Sequence, residues 1–233
     1  MVNIDFFKDL LQVLKGLISM EESISEDGGI EPPTHMLELV SRQLMCIVTA
    51  FELLSGQGPL FMLSTKQIFK ILVGEALNID LSDFVSRLFA LLLPLSLAFE
   101  TESQSLTVGS VIDMLFRALN VIFSPKTSGA RASPWRSAAF AKRLLSVSLQ
   151  WPPFAALRTL DFVSSLIAKD PKLEAMLSTE DRIFNGIYRA DVDDPELCHP
   201  FESSFWELHA LHQNHWSPRV RQEAKNLLDL KTL

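Results

Sequence analysis

What this chain is short of narrows it before any motif is read. It has nine glycines, one tyrosine and two cysteines in 233 residues. So little glycine and tyrosine, beside abundant Leu, Ala and Ser, points away from a sheet protein. Cys46 and Cys198 are too few for a disulfide framework and are expected to be reduced. Long apolar runs are missing too: the most apolar stretch, Leu88 to Phe99, falls short of the ~20 residues a spanning helix needs, and Pro94 interrupts it. MVNIDFFKDLL carries Asp5 where a secretory leader would be basic and offers no small-residue cleavage site. The expectation is a soluble intracellular chain without a membrane segment.

Catalytic signatures are equally sparse. There is no GxSxG and no HExxH, and GQGP at Gly56 to Pro59 lacks the Lys-Ser/Thr pair and flanking strand of a phosphate loop. Asp191, Asp193 and Asp194 sit close in sequence but without the spaced oxygen ligands of a calcium loop, so capping and loop hydrogen bonds are their expected work. An enzyme is therefore not expected, and neither is a cofactor, a metal or a small-molecule substrate.

Charge is unevenly spread. The formal net charge is −7, which speaks against a nucleic-acid binder, yet from Met114 to Leu160 there is no Asp or Glu at all. That stretch holds Arg117, Lys126, Arg131, Arg136, Lys142, Arg143 and Arg158. Arg131, Arg136, Lys142 and Arg143 surround a loop and a helix start, where free backbone N–H groups add to the attraction for phosphate. These four are the candidate phosphate or RNA contact; a solvated helix face is the plainer reading.

Apolar spacings of three and four predict helices throughout. The first covers Asn3 to Ser19, beginning with little to cap it, which suggests a truncated start. SISEDGGIEPP, residues 23 to 33, reads as a loop. Further helices are predicted from about Thr34 to Leu54, from Asp80 to Phe99 with a kink or break near Pro94, and from Thr107 to Phe123. Ser133 before Pro134 marks the start of the fifth, which ends near Leu149, and WPPF turns the chain tightly into a sixth, Phe154 to Lys169, stopped by Asp170 and Pro171. Leu177 to Cys198 lacks periodicity and reads as an ordered loop. A last pair is expected from Pro200 to His215 and from Pro218 to Leu230. In SPRVRQEAKNLL, Val220, Ala224, Leu227 and Leu228 form one buried stripe, the pattern of the second helix of a HEAT-type repeat. The fold class is therefore all-α, an irregular HEAT-like helical-repeat superhelix, or α-solenoid.

DDPELCHPFESSFWELHALHQNHW, residues 193 to 216, concentrates one cysteine and four histidines. On a helical wheel Phe201, Phe205, Leu208 and His212 share a stripe, with Glu207 on the polar face. Packed or hydrogen-bonded histidines are expected rather than ligands, since Pro200 cuts Cys198 off from the helix.

The block from Phe140 to Leu228 is similar to the CCAAT-binding-factor (CBF) domain of the nucleolar complex-associated proteins. The matching stretches are LQWPPFAALRTLDFVSSLIAKDPKL, LSTEDR, GIYRADVDDPELCHP, SSFWELHALHQNHW and SPRVRQEAKNLL. Upstream, IDFFKDLLQVL, LMCIVTAFELLSGQG and GEALNIDLSDFVSRLFALL resemble one branch of that family in particular. The resemblance divides the chain into a preceding helical region, 1–125, and a CBF domain, 126–233. It implies a non-enzymatic factor of the nucleolus and nucleus, a scaffold for assembly and intranuclear transport of pre-60S large ribosomal subunits. Its partners would be a second nucleolar complex protein in a heterodimer, pre-60S particles, and rRNA or chromatin as further candidates. It also implies scaffold roles for Trp151, Pro152, Pro153, Asp193, Asp194, Pro195, Phe205, Trp206, Glu207 and Leu208, with no metal. A general HEAT-like adaptor or transport receptor, or a chromatin-binding protein of replication or transcription, is the alternative. Two departures stand out. Family members are much longer, with a basic extension absent here, and PLFMLSTKQIFKILVG, residues 59–74, has no family counterpart, so it reads as an insertion or retained intron.

Overall fold

The computed structural model describes residues 4–25, 33–55, 82–97, 105–124, 133–178 and 186–230. Every regular element among them is helical: α1 (Ile4–Ser25), α2 (Pro33–Ser55), α3 (Ser82–Leu97), α4 (Ser105–Ile122), α5 (Pro134–Ser148), α6 (Pro153–Lys169), the short α7 (Pro171–Glu174), α8 (Trp206–Asn214) and α9 (Pro218–Asp229). Single 3-10 turns cover Ala175–Leu177 and Pro200–Glu202. Among the described residues no helix is long and apolar enough to cross a membrane. The loop expected at 23–33 is shorter at both ends, since α1 runs on to Ser25 and α2 starts at Pro33; residues 26–32, the insertion at 59–74, Gly56, Gly58, Asp80, Lys126 and Arg131 lie outside the described residues.

Two compact units divide the chain: residues 1–88 with 101–131, and residues 89–100 with 132–233. In the first, α2 packs against both α1 and α4. Leu11, Leu14 and Ile18 of α1 and Leu44, Ile47, Val48 and Phe51 of α2 are buried at the expected helical spacing, and Phe51 meets Phe84 edge-on at 6.3 Å. In the second, α5 packs on α6, α6 on α9, and α9 on α8, neighbour against neighbour as in a helical repeat. The α9 stripe forms as read: Val220, Ala224 and Leu227 are buried, and Leu228 is half-buried.

Helix α3 runs through Pro94 to Leu97 and is not broken there. Two donors from outside the helix bracket the proline, Arg143 on the carbonyl of Phe89 and Trp151 on that of Leu95. The WPPF corner works through its prolines. Pro153 occupies the first helical position of α6, and the carbonyl of Pro152 accepts the N–H groups of Ala155 and Ala156, both at 3.0 Å. Asp170 then closes α6 and caps α7 by accepting the N–H of Lys172. Ser133 stands at the cap position of α5, but its side chain makes no capping bond.

One predicted helix is corrected. Pro200 to His215 does not form a single helix: a 3-10 turn ends at Glu202, Ser203 is extended, and α8 starts only at Trp206. The backbone between them is committed elsewhere. The N–H of Phe205 donates to the carbonyl of Met176 at 2.7 Å, and the carbonyl of Ser204 accepts the ammonium of Lys142. These tertiary bonds take groups that a continuous helix would need for itself.

Candidate functional site

Helix α5 has no solvent face over its middle. Ser137 to Leu145 are buried without interruption, because Ala138, Ala139 and Ala141 let neighbours approach on every side. Lys142 and Arg143 fall inside that run, each with a side chain only 1% exposed. A buried charge must be paired and hydrogen-bonded to be tolerated, and both are.

The Lys142 ammonium lies 2.8 and 2.9 Å from the two oxygens of Glu207 and 2.6 Å from the carbonyl of Ser204. The rings of Trp206 and Tyr188 cover it, at 5.3 and 5.5 Å. Ser146 donates its hydroxyl to the same carboxylate at 2.6 Å. Burial pulls the lysine below its ordinary pKa, and the charge and hydrogen bond of Glu207 oppose that.

Arg143 points the other way, into the aspartate-rich loop. Its guanidinium donates to Asp193 at 2.8 Å and to the carbonyls of Phe89, Ala190 and Val192 at 3.1, 2.9 and 2.7 Å, while its carbon sits 3.6 Å from the centre of the Phe89 ring. Planar, forked donors suit this: one side chain holds the carbonyls of Ala190 and Val192 and the carboxylate of Asp193 against α3. Asp194 organises the next turn by accepting the N–H of Glu196, and buried Pro195 accepts the thiol of Cys198. Burial pushes that thiol up to about 11 and the neighbouring Tyr188 hydroxyl up to about 12.

The candidate phosphate contact is thus not gathered on a surface. Lys142 and Arg143 are internal, Arg136 is mostly buried and faces Glu196 at 3.7 Å, and Arg131 lies outside the described residues. The physical reason is that the acid-free stretch draws its counter-charges from distant parts of the chain. Arg117 likewise pairs with Glu52. SAAFAKRLL leaves no polar flank to carry its two cations to solvent, and that was the available sign in the sequence.

The ten motif residues have distinct stations. Trp151, Phe205 and Leu208 are core, Glu207 is fully buried instead of on a polar face, and Trp206 is half exposed with one face toward Lys142. Pro152 and Pro153 make the corner; Asp193, Asp194 and Pro195 make the loop clamped by Arg143. The histidines work locally. His212 Nδ1 is paired with the carbonyl of Arg221, and His215 Nδ1 accepts the N–H of Ser217, while burial holds its pKa below the usual histidine value. Among the described residues no three His, Cys, Asp or Glu side chains converge to hold a metal ion. Sequence reasoning missed Ser146, Ser204 and Tyr188, which complete the cluster through contacts far apart in the chain.

The CBF/Mak21 family matches residues 43–224. Nucleolar complex-associated protein 3 of Schizosaccharomyces pombe is 31% identical over an alignment covering 100% of this chain and 30% of the relative. The Saccharomyces cerevisiae protein of the same name is 29% identical over 97% of this chain and 33% of its own length, and the human nucleolar complex protein 3 homolog 28% identical over 98% and 23%. The chain spans a third or less of these relatives. With the fold helical, the motifs in order and the match extending over most of its length, this chain belongs to the CBF/Mak21 family.

Proposed function

We propose that this chain acts in the nucleolus and nucleus as a non-enzymatic scaffold for building the large ribosomal subunit. It works as one member of a heterodimer with a second nucleolar complex protein and associates with pre-60S particles during their assembly and transport. The observation that carries this reading is the end-to-end similarity to proteins named for a nucleolar complex, 31% identical over the whole chain in the S. pombe case. The chemistry supports a scaffold. The motif's charged side chains are spent on one another, Lys142 on Glu207 and Arg143 on Asp193, so they specify a fold and a loop shape. Within this reading residues 126–233 are the CBF domain proper and 1–125 a preceding helical region; residues 132–233 make up most of the second compact unit, which also takes in residues 89–100, and the family match starts further upstream at residue 43.

The test is affinity purification of the tagged chain from nuclear extract with mass spectrometry. The expected result is co-recovery of a second nucleolar complex protein and large-subunit precursors. Recovery of chromatin or transport components without pre-ribosomal particles would replace this reading with the general adaptor.

A further inference from the structure

The corner between α8 and α9 displays a tryptophan on a fixed base. Trp216 is 74% exposed, yet its ring stacks on that of His215, 17° from parallel with centroids 5.8 Å apart. His215 is itself buried and tied at two points. Its Nδ1 accepts the N–H of Ser217 at 3.0 Å, and the ring is also hydrogen-bonded to the backbone of Trp151 at the WPPF corner. Arg221 fastens the same turn by donating to the carbonyls of His215 at 2.7 Å and Trp216 at 3.2 Å. The result is an indole backed by a second ring and open over the rest of its surface, its position set before anything binds.

The charge around this indole is of one sign. From Leu208 to Gln222 there is no Asp or Glu, and the WPPF corner that His215 reaches lies in the acid-free stretch from Met114 to Leu160. Arg219, three residues on from Trp216 in the first turn of α9, is exposed and has no ion-pair partner among the described residues. Arg221 spends its donors on carbonyls, so its charge is not cancelled either. Glu223, the first acid along α9, accepts from Asn226 and makes no ion pair with either arginine among the described residues. In this these two arginines differ from Lys142, Arg143 and Arg136, each of which already faces a carboxylate.

An open aromatic face with uncancelled cations within one helical turn is what single-stranded nucleic acid needs: a base stacks on the ring and its phosphates meet the arginines. A duplex keeps its base faces hidden and offers the indole nothing to stack on. The chain's net charge of −7 repels polyanions elsewhere, which confines the attraction to this corner.

We propose that Trp216, backed by His215 and flanked by Arg219 and Arg221, is a stacking platform for single-stranded RNA. This rests on the scaffold reading, in which a large-subunit precursor presents RNA, and deepens it by naming what this corner of the scaffold touches.

The experiment is a fluorescence-anisotropy titration of the purified chain with labelled oligouridine of about 12 nucleotides. Unlabelled RNA duplex and polyglutamate serve as competitors. The expected result is saturable binding that neither competitor displaces at equal charge. Trp216→Ala weakens it about tenfold, the size of one lost base stack. Trp216→Phe keeps most of the affinity but abolishes the quenching of tryptophan fluorescence that accompanies binding. Arg219→Ala lowers the slope of log affinity against log salt by about 0.7, the loss of one single-strand phosphate contact. Ile187→Ser, at an exposed residue away from this corner, leaves binding unchanged. Trp216 and Arg219 are both at the surface, and unchanged melting temperatures check that their variants fold.

Absence of saturable binding overturns the proposal, as does equal affinity of Trp216→Ala and the original chain. An unaltered salt slope in Arg219→Ala does the same without reference to the tryptophan. Equal competition by duplex RNA would remove stacking, and displacement by polyglutamate would give the surface to an acidic protein segment instead. Failure of the scaffold reading shows separately: purification from nuclear extract without pre-ribosomal particles overturns that reading whatever the titration finds.

Discussion

Lys142 and Glu207, 65 residues apart, form an ion pair with side chains 1% and 0% exposed. It joins α5 to α8 at the place where the chain leaves the 200–202 turn. Because Lys142 also holds the carbonyl of Ser204, the pair fixes where α8 begins. Buried pairs are weak contributors to net stability but severe to break from one side, since the survivor is an uncompensated buried charge.

Lys142→Met or Glu207→Leu alone is expected to cost about 3–5 kcal/mol. The double variant should lose less than the sum of the two, because neither charge is then left behind. Urea unfolding of the four proteins closes the cycle, and strict additivity would refute the coupling.

Arg143→Lys keeps the charge but not the fork. An ammonium cannot reach Asp193 and three carbonyls from one position, so about 2 kcal/mol or more should be lost. The loss should be local as well as global. Hydrogen exchange at residues 190–194 is expected to accelerate beyond that of α9, and equal acceleration everywhere would show that the arginine does not clamp the loop.

Burial lowers the pKa of His215 in the folded chain. Below the ordinary value near 6.5 the unfolded state takes up the proton before the folded state does. Stability carried by the neutral ring is therefore complete above that pH and is lost as pH falls through it toward the lowered folded value. Thermal unfolding between pH 7.5 and about pH 5 should show a steeper decline for the original chain than for His215→Asn. Parallel curves would mean the ring titrates alike in both states.

The Cys198 thiol, fully buried and raised to about 11, should resist alkylation at neutral pH, whereas Cys46 is only partly covered. Peptide mapping after iodoacetamide treatment is expected to find label on Cys46 alone until denaturant is added. Label on Cys198 in the folded chain would contradict its placement.

Periodic apolar spacing settled what could be settled locally. Leu11, Leu14 and Ile18 in α1, or Val220, Ala224 and Leu227 in α9, point inward because a helix puts residues three and four apart on one face whatever its neighbours are. The proline-marked starts of α5, α6 and α9 were legible because proline suits the first helical turn, whereas Pro171, read only as a stop, also opens the short α7, and the long motifs carried the family. The Pro200–His215 helix and the basic patch were not legible. Whether Phe205 donates to the helix or to Met176, and whether Lys142 faces water or Glu207, depends on which segments arrive beside them. Local charge counts say nothing of counter-charges 50 or 65 residues away. The sequence by itself determined a set of helices and the family they belong to. Tertiary structure alone decided that two adjacent cations form the core of the second unit, because a helix surrounded on all sides has no solvent face on which to leave them.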